Sequence, residues 1–132
     1  MEIEIPDNLV GEGKYVVGEK DLASFLGSGN VHVLSTPTMI NWIENTARIE
    51  LDKYLPEGYT TVGYHIDVYH LNPAPLGAKI IVRFKLRKRE RRKLILDVEV
   101  FWGDKKIGEG MHERYIVNLE KFRKKVSELV SK

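Results

Sequence analysis

Between residues 36 and 54 the chain reads TPTMINWIENTARIELDKY, and its apolar positions recur every three or four residues. Ile40, Ile43, Ala47, Leu51 and Tyr54 share one side of an α-helix at that spacing, and Met39, Trp42 and Ile49 widen the apolar surface. Thr36 fits the N-cap and Pro37 the first turn, where a missing N–H costs nothing, and Pro56-Glu57-Gly58 stops the helix after about Tyr54. Further on the period changes to two. Thr61–Leu71 alternates Val62, Tyr64, Ile66, Val68 and His70 against Gly63, His65, Asp67 and Tyr69. Lys79–Arg87 sets Ile80, Val82, Phe84 and Leu86 against mainly basic residues, and Leu94–Trp102 sets Leu94, Leu96, Val98, Val100 and Trp102 against Ile95, Asp97, Glu99 and Phe101. Ile107–Val117 follows the turn Gly103-Asp104. Ahead of the helix, a strand is expected near Lys14–Glu19 and a mobile turn at Gly27-Ser28-Gly29-Asn30. The tail puts Leu119, Phe122, Val126, Leu129 and Val130 on one face of a closing helix.

One strand, a buried helix and then a four-stranded antiparallel meander predict an α+β fold, with the sheet wrapped around one long central helix. At 132 residues the chain is expected to be one domain, 1–132, large enough to bury a core. A sheet this small leaves part of so apolar a helix uncovered, so a second subunit is expected to cover it. Charged residues make up 30% and the net charge is +2, which gives no reason to expect nucleic acid as partner. The absence of cysteine excludes disulfides, thiolate metal sites and a cysteine nucleophile, and it fits a reducing cytoplasm. The opening MEIEIPDNLVGEG is acidic and broken by Pro6, unlike a signal peptide, and no run is apolar enough for a membrane.

Glu44 falls four residues after Ile40 and three before Ala47, on the apolar side of the helix. A carboxylate there either reaches water from the edge of the stripe or is held inside by a partner for a chemical purpose. His70 ends its strand on the face expected to meet the helix, just before Leu71-Asn72-Pro73-Ala74-Pro75. It is either a core-edge imidazole bonded to backbone or a group able to meet a carboxylate and a substrate together. Thr36 has a structural reading as the cap, and a chemical one beside the first-turn N–H groups of Thr38 and Met39, which favour negative charge. His65 and His70 lie an odd number of positions apart and point to opposite faces, and His112-Glu113 lacks a second histidine four residues on. No metal site and no cofactor are expected. The basic run Arg83–Lys93 reads as a solvated hairpin or an anion-binding strip without aromatic residues for base stacking. Gly108-Glu109-Gly110 reads as a bulge or a close backbone approach.

Three segments, VLSTPTMINWIENTA, LPEGYTTVGYHIDVYHLNPAPLG and IGEGMHERYIVNLEKF, resemble the hot-dog-fold thioesterases, in the branch of the fluoroacetyl-CoA thioesterase. The resemblance runs from about Lys14 to Phe122. It implies a hot-dog fold, a homodimer with sites at the subunit interface, and a catalytic threonine, glutamate and histidine that fall on Thr36, Glu44 and His70. The family's substrate-contacting glycine and arginine fall on Gly63 and Arg114. Aromatic residues that gate the pocket in that branch correspond here to Gly27-Ser28-Gly29-Asn30-Val31-His32, so the resemblance does not carry the preference for a fluorinated acyl group.

The function expected is hydrolysis of a small or medium acyl-CoA, with the acyl chain near Val33, Leu34, Ile40 and Trp42. Glu44 and His70 would activate a water or support attack by a side chain, and Thr36 would hold the carbonyl or position the nucleophile. The alternatives are a module on the same fold that binds acyl-CoA or another nucleotide without hydrolysis, and an RNA or anion binder working through Arg87–Lys93. A hydratase is disfavoured, because the Asp/His pair of that chemistry is not seen.

Overall fold

The computed structural model describes residues 2–131. In chain order it holds strand β1 (Val10–Val16), a 3-10 turn (Glu19–Asp21), the one-turn helix α1 (Ala23–Leu26) and the long helix α2 (Thr36–Asp52). Strands β2 (Tyr59–His70), β3 (Lys79–Glu90), β4 (Lys93–Trp102) and β5 (Lys105–Asn118) follow, then helix α3 (Leu119–Val130). All strand pairs are antiparallel, and the spatial order is β1-β3-β4-β5-β2. The α+β class is as expected, but the four-stranded meander is not. Only β3, β4 and β5 form a meander. Strand β2 crosses over to pair with β5, because Asn72-Pro73-Ala74-Pro75 follows it and proline can neither supply a ladder N–H nor let its predecessor bend freely. That segment instead runs beside the entry to α2, where Leu34 N–H donates to the Ala74 carbonyl at 2.8 Å.

The period-two residues of β3 and β4 bury as their spacing requires: Ile80, Val82, Phe84 and Leu86 on one, Leu94, Leu96, Val98 and Val100 on the other. Met39, Trp42, Ile43, Ala47 and Leu51 of α2 pack down on them. Each large side chain buried there contributes roughly 1.5–3 kcal/mol. A bare backbone at Gly108 lets α2 come close, since a Cβ would stand 2.7 Å from Met39 Sδ. Trp42 stacks on Tyr15 with ring centroids 4.8 Å apart, so it belongs to the core under β1 and not to an acyl cavity.

Three local expectations change. The first strand lies four residues earlier than its pattern suggested, and the segment before the glycine turn contains α1, whose C-cap Gly27 is left-handed at φ 76°. The cap of α2 is Ser35, whose hydroxyl accepts the Thr38 N–H at 3.1 Å, while the Met39 N–H donates to the Ser35 carbonyl. Thr36 is therefore the first helical residue, and the two first-turn donors assigned to developing charge are already used. On β2 the register against β5 slips between Gly63 and His65, so Tyr64 is an extra residue. Tyr64 is 63% exposed and packs edge-on against Tyr115. The inward residues are thus Thr61 and Gly63 before the bulge, then Ile66, Val68 and His70 after it; the single face running through Val62 and Tyr64 does not exist.

The apolar face of α3 is present but closes nothing: none of its described residues is buried, and Phe122, Val126, Leu129 and Val130 stay exposed. Among the described residues, no helix is long and apolar enough to cross a membrane.

Candidate active site

Where α2 begins, β2 ends. Because Ser35 does the capping, the Thr36 hydroxyl is free, and it lies 2.8 Å from His70 Nδ1. The two side chains line a cleft of about 350 Å³ together with Val31, Val33, Leu34 and Leu71. Ser28 and Gly29 line it too, whereas Ile40 and Trp42, expected beside the acyl chain, do not. Burial pushes His70 below its ordinary value of 6.5, with the Asn72 backbone opposing, so the ring stays neutral at pH 7. A neutral ring that accepts the threonine O–H at Nδ1 carries its own proton on Nε2. That is a hydroxyl and a base in bonding distance, the geometry of an activated nucleophile.

A second group gathers two turns along α2, and none of its residues lines that cleft. Glu44 Oε2 lies 3.7 Å from Arg114 Nη1, and its side chain is 43% exposed, at the margin of the apolar stripe and not within it. It also lies over Gly63: a Cβ there would stand 2.6 Å from Glu44 Oε2 and 3.7 Å from Arg114 Nη1. Only glycine leaves that space.

Arg114 itself is 5% exposed. Its Nε donates to Thr61 Oγ1 at 2.7 Å, its Nη2 to the Thr61 carbonyl at 2.9 Å, and its Nη1 meets His112 Nε2 at 3.1 Å. His112 Nδ1 is 2.8 Å from the His65 carbonyl, so Nδ1 holds the proton and Nε2 is the acceptor facing the guanidinium. Burial lowers the His112 pKa from 6.5, the His65 backbone opposing and Arg114 adding to the fall. Burial also lowers that of Arg114, with Glu44 pulling the other way; the guanidinium remains charged.

The five expected residues thus fall into two groups, Thr36 with His70 and Glu44 with Gly63 and Arg114, and only the first lines the cleft. Among the described residues no hydrogen bond or ion pair joins Glu44 to His70. Thr61 and His112 were not foreseen. A threonine and a histidine on strands look ordinary until the bulge places Thr61 inward, beside the arginine from β5.

In the basic run Arg83–Lys93, four of the eight cations have acidic partners. Arg83 pairs with Glu12, Arg87 with Asp97, and both Lys88 and Lys93 with Glu90. Among the described residues no three His, Asp or Glu side chains gather in a group that could hold a metal ion.

Known proteins place this architecture. In fold it is similar to the fluoroacetyl-CoA thioesterase FlK, with a TM-score of 0.87 at 27% identity over 95% of this chain and 97% of that one. It is likewise similar to a Thermus thermophilus hypothetical protein of the thioesterase superfamily, with a TM-score of 0.88 at 25% identity over 97% and 95% of the two chains. A hot-dog-like protein from Thermanaerovibrio acidaminovorans shares the fold, with a TM-score of 0.85 at 24% identity over 93% of this chain and 91% of that one. The class is therefore a hot-dog-fold thioester hydrolase. In sequence, the fluoroacetyl-CoA thioesterase of Streptantibioticus cattleyicolor is 35% identical over 94 residues, which are 71% of this chain and 68% of that protein. The fluoroacetyl-CoA-specific thioesterase family model matches residues 17–120, and the chain belongs to that family.

Proposed function

We propose that this protein is a homodimeric acyl-CoA thioesterase, acting in the cytoplasm as a single domain on small or medium acyl groups. The observation that carries the reading is the Thr36 hydroxyl 2.8 Å from a neutral His70, on the wall of a 350 Å³ cleft. The Thr36 oxygen attacks the thioester carbonyl while His70 takes its proton at Nδ1; the C–S bond breaks, and His70 returns the proton to the departing thiolate. A water then cleaves the acyl ester, giving the free acid and restoring the threonine hydroxyl. Glu44 is the carboxylate that orients this water and takes its proton, and Gly63 and Arg114 hold Glu44 in place. FlK, the relative whose structure was solved with fluoroacetate and CoA in a phenylalanine-to-alanine mutant, supports a CoA thioester as the substrate.

The two groups lie too far apart to serve one small acyl carbon within a protomer. Seven residues of strand separate Gly63 from His70, about 20 Å at strand rise. Eight residues of helix separate Thr36 from Glu44, about 12 Å. Strand β2 is an outer strand of 12 residues containing neither lysine nor proline, which is an edge that invites pairing. Antiparallel pairing of two β2 strands about an axis near Ile66 and Asp67 brings Gly63, Glu44 and Arg114 of one copy beside Thr36 and His70 of the other.

Release of free thiol from a panel of short and medium acyl-CoAs tests the reading, and separates it from a module that merely binds CoA esters. His70→Ala and Glu44→Ala should each lower turnover by ~10²–10⁴-fold while the dimer persists. Wild-type turnover in both variants removes the catalytic assignment.

A further inference from the structure

We infer that Thr61 and His112 are positioning residues, which fix the Arg114 guanidinium so that it sets the Glu44 carboxylate. The inference rests on the reading of Glu44 as the carboxylate of the site. A guanidinium has five N–H donors in one rigid plane, and three of them are already engaged by neutral acceptors from two directions. Nε and Nη2 meet the hydroxyl and carbonyl of Thr61, and Nη1 meets His112 Nε2. A plane held at three corners can neither rotate nor slide. Arg114 Nη1, the nitrogen anchored to His112, is also the one 3.7 Å from Glu44 Oε2.

The acceptors are neutral, and that matters chemically. A second carboxylate on Arg114 would satisfy the cation and leave Glu44 competing for it. Thr61 and His112 solvate the buried charge without neutralising it, so its field remains directed at Glu44. The acceptor state of His112 is in turn enforced by its other nitrogen, which donates to the His65 carbonyl beside the β2 bulge at 2.8 Å. The bulge thereby acquires a role: the extra residue Tyr64 puts Thr61 and Gly63 inward next to Arg114, while Ile66, Val68 and His70 stay inward farther along.

The test is a double-mutant cycle joined to a spectroscopic readout. Thr61→Val keeps shape and strand preference but removes the hydroxyl acceptor, and Thr61→Ser restores it. Thr61→Val should lower kcat about ten-fold with KM little changed, a loss of the size found for groups that orient a reacting residue, and Thr61→Ser should recover most of it. In a Glu44→Gln background the same Thr61→Val change should cost nothing further, because its effect passes through Glu44. The 15N-detected Arg114 Nε–H signal should exchange slowly in the native protein, become fast in Thr61→Val and slow again in Thr61→Ser. A kcat loss that simply adds to that of Glu44→Gln, or an Nε–H signal indifferent to Thr61→Val, overturns the inference. Full turnover in Glu44→Gln alone overturns it as well, but then the assignment of Glu44 fails first, and the Nε–H signal reports separately whether the guanidinium is held. If Thr61→Val does not fold, His112→Gln, which keeps one donor and one acceptor, should lose less kcat than His112→Leu; equal losses in the two count against the inference.

Discussion

Gly63 shows at a single residue how space decides chemistry. Its missing side chain is occupied by Glu44, so any Cβ must displace the carboxylate or the strand. Gly63→Ala should lower kcat/KM at least ten-fold and leave thermal stability within about 1 kcal/mol, because Glu44 is a partly exposed side chain that can swing away. Thiol-release kinetics beside a melting curve check both halves, and unchanged kinetics would mean that Glu44 needs no fixed position. Thr36, Glu44, His70, Gly63 and Arg114 could be picked out as candidates from the three segments that resemble the family. The task of Thr36 was not. Ser and Thr are adjacent at positions 35 and 36, both are good caps, and only the backbone decides which one spends its hydroxyl on the helix.

Elements carry the next set of consequences. Ser35→Ala removes the cap of α2 and should cost about 1 kcal/mol, read as a lower unfolding midpoint, whereas Thr36→Ala should not cost a cap. The paired strands make a pH prediction. His70 and His112 both titrate below their ordinary value in the fold because burial disfavours the charged ring. As pH falls below 6.5 the unfolded chain takes up protons first, so folded stability is complete above that value and declines through the window beneath it. Urea midpoints at about pH 7.5 and about pH 5.5 should therefore differ, and the difference should shrink in His112→Gln. An equal difference in both proteins would mean that His112 is not the group responsible. Strands β3 and β4 were readable over Ile80–Leu86 and Leu94–Val100, where their alternation is unbroken. The face of β2 was not, since a bulge shifts the phase without leaving a mark in composition, and Gly63 and His70 cannot be seen to share a face until Tyr64 is set aside as extra.

At the scale of the whole molecule, the strand order determines what the edges can do. The expected meander paired β2 with β3; its place at the rim beside β5 leaves one side of its twelve residues without a neighbour, and the strand carries Gly63 and His70, one from each of the two candidate groups. The order could not be read from the pattern because apolar alternation reports which face of a strand is buried, not which strand lies beside it. The proposed second subunit would add to this edge; on α2 the sheet covers Met39, Trp42, Ile43, Ala47 and Leu51, while Ile49 and Tyr54 stay exposed.

Complementation between two crippled proteins tests the shared site most directly. His70→Ala and Glu44→Ala, each nearly inactive alone, are mixed so that subunits exchange, and thiol release from an acyl-CoA is followed. If each site takes Thr36 and His70 from one copy and Glu44 from the other, a mixed dimer carries one intact site. Half the dimers being mixed, activity should return to about a quarter of the wild-type level. A mixture no more active than its parents, although mixed dimers are demonstrably present, would contradict the account.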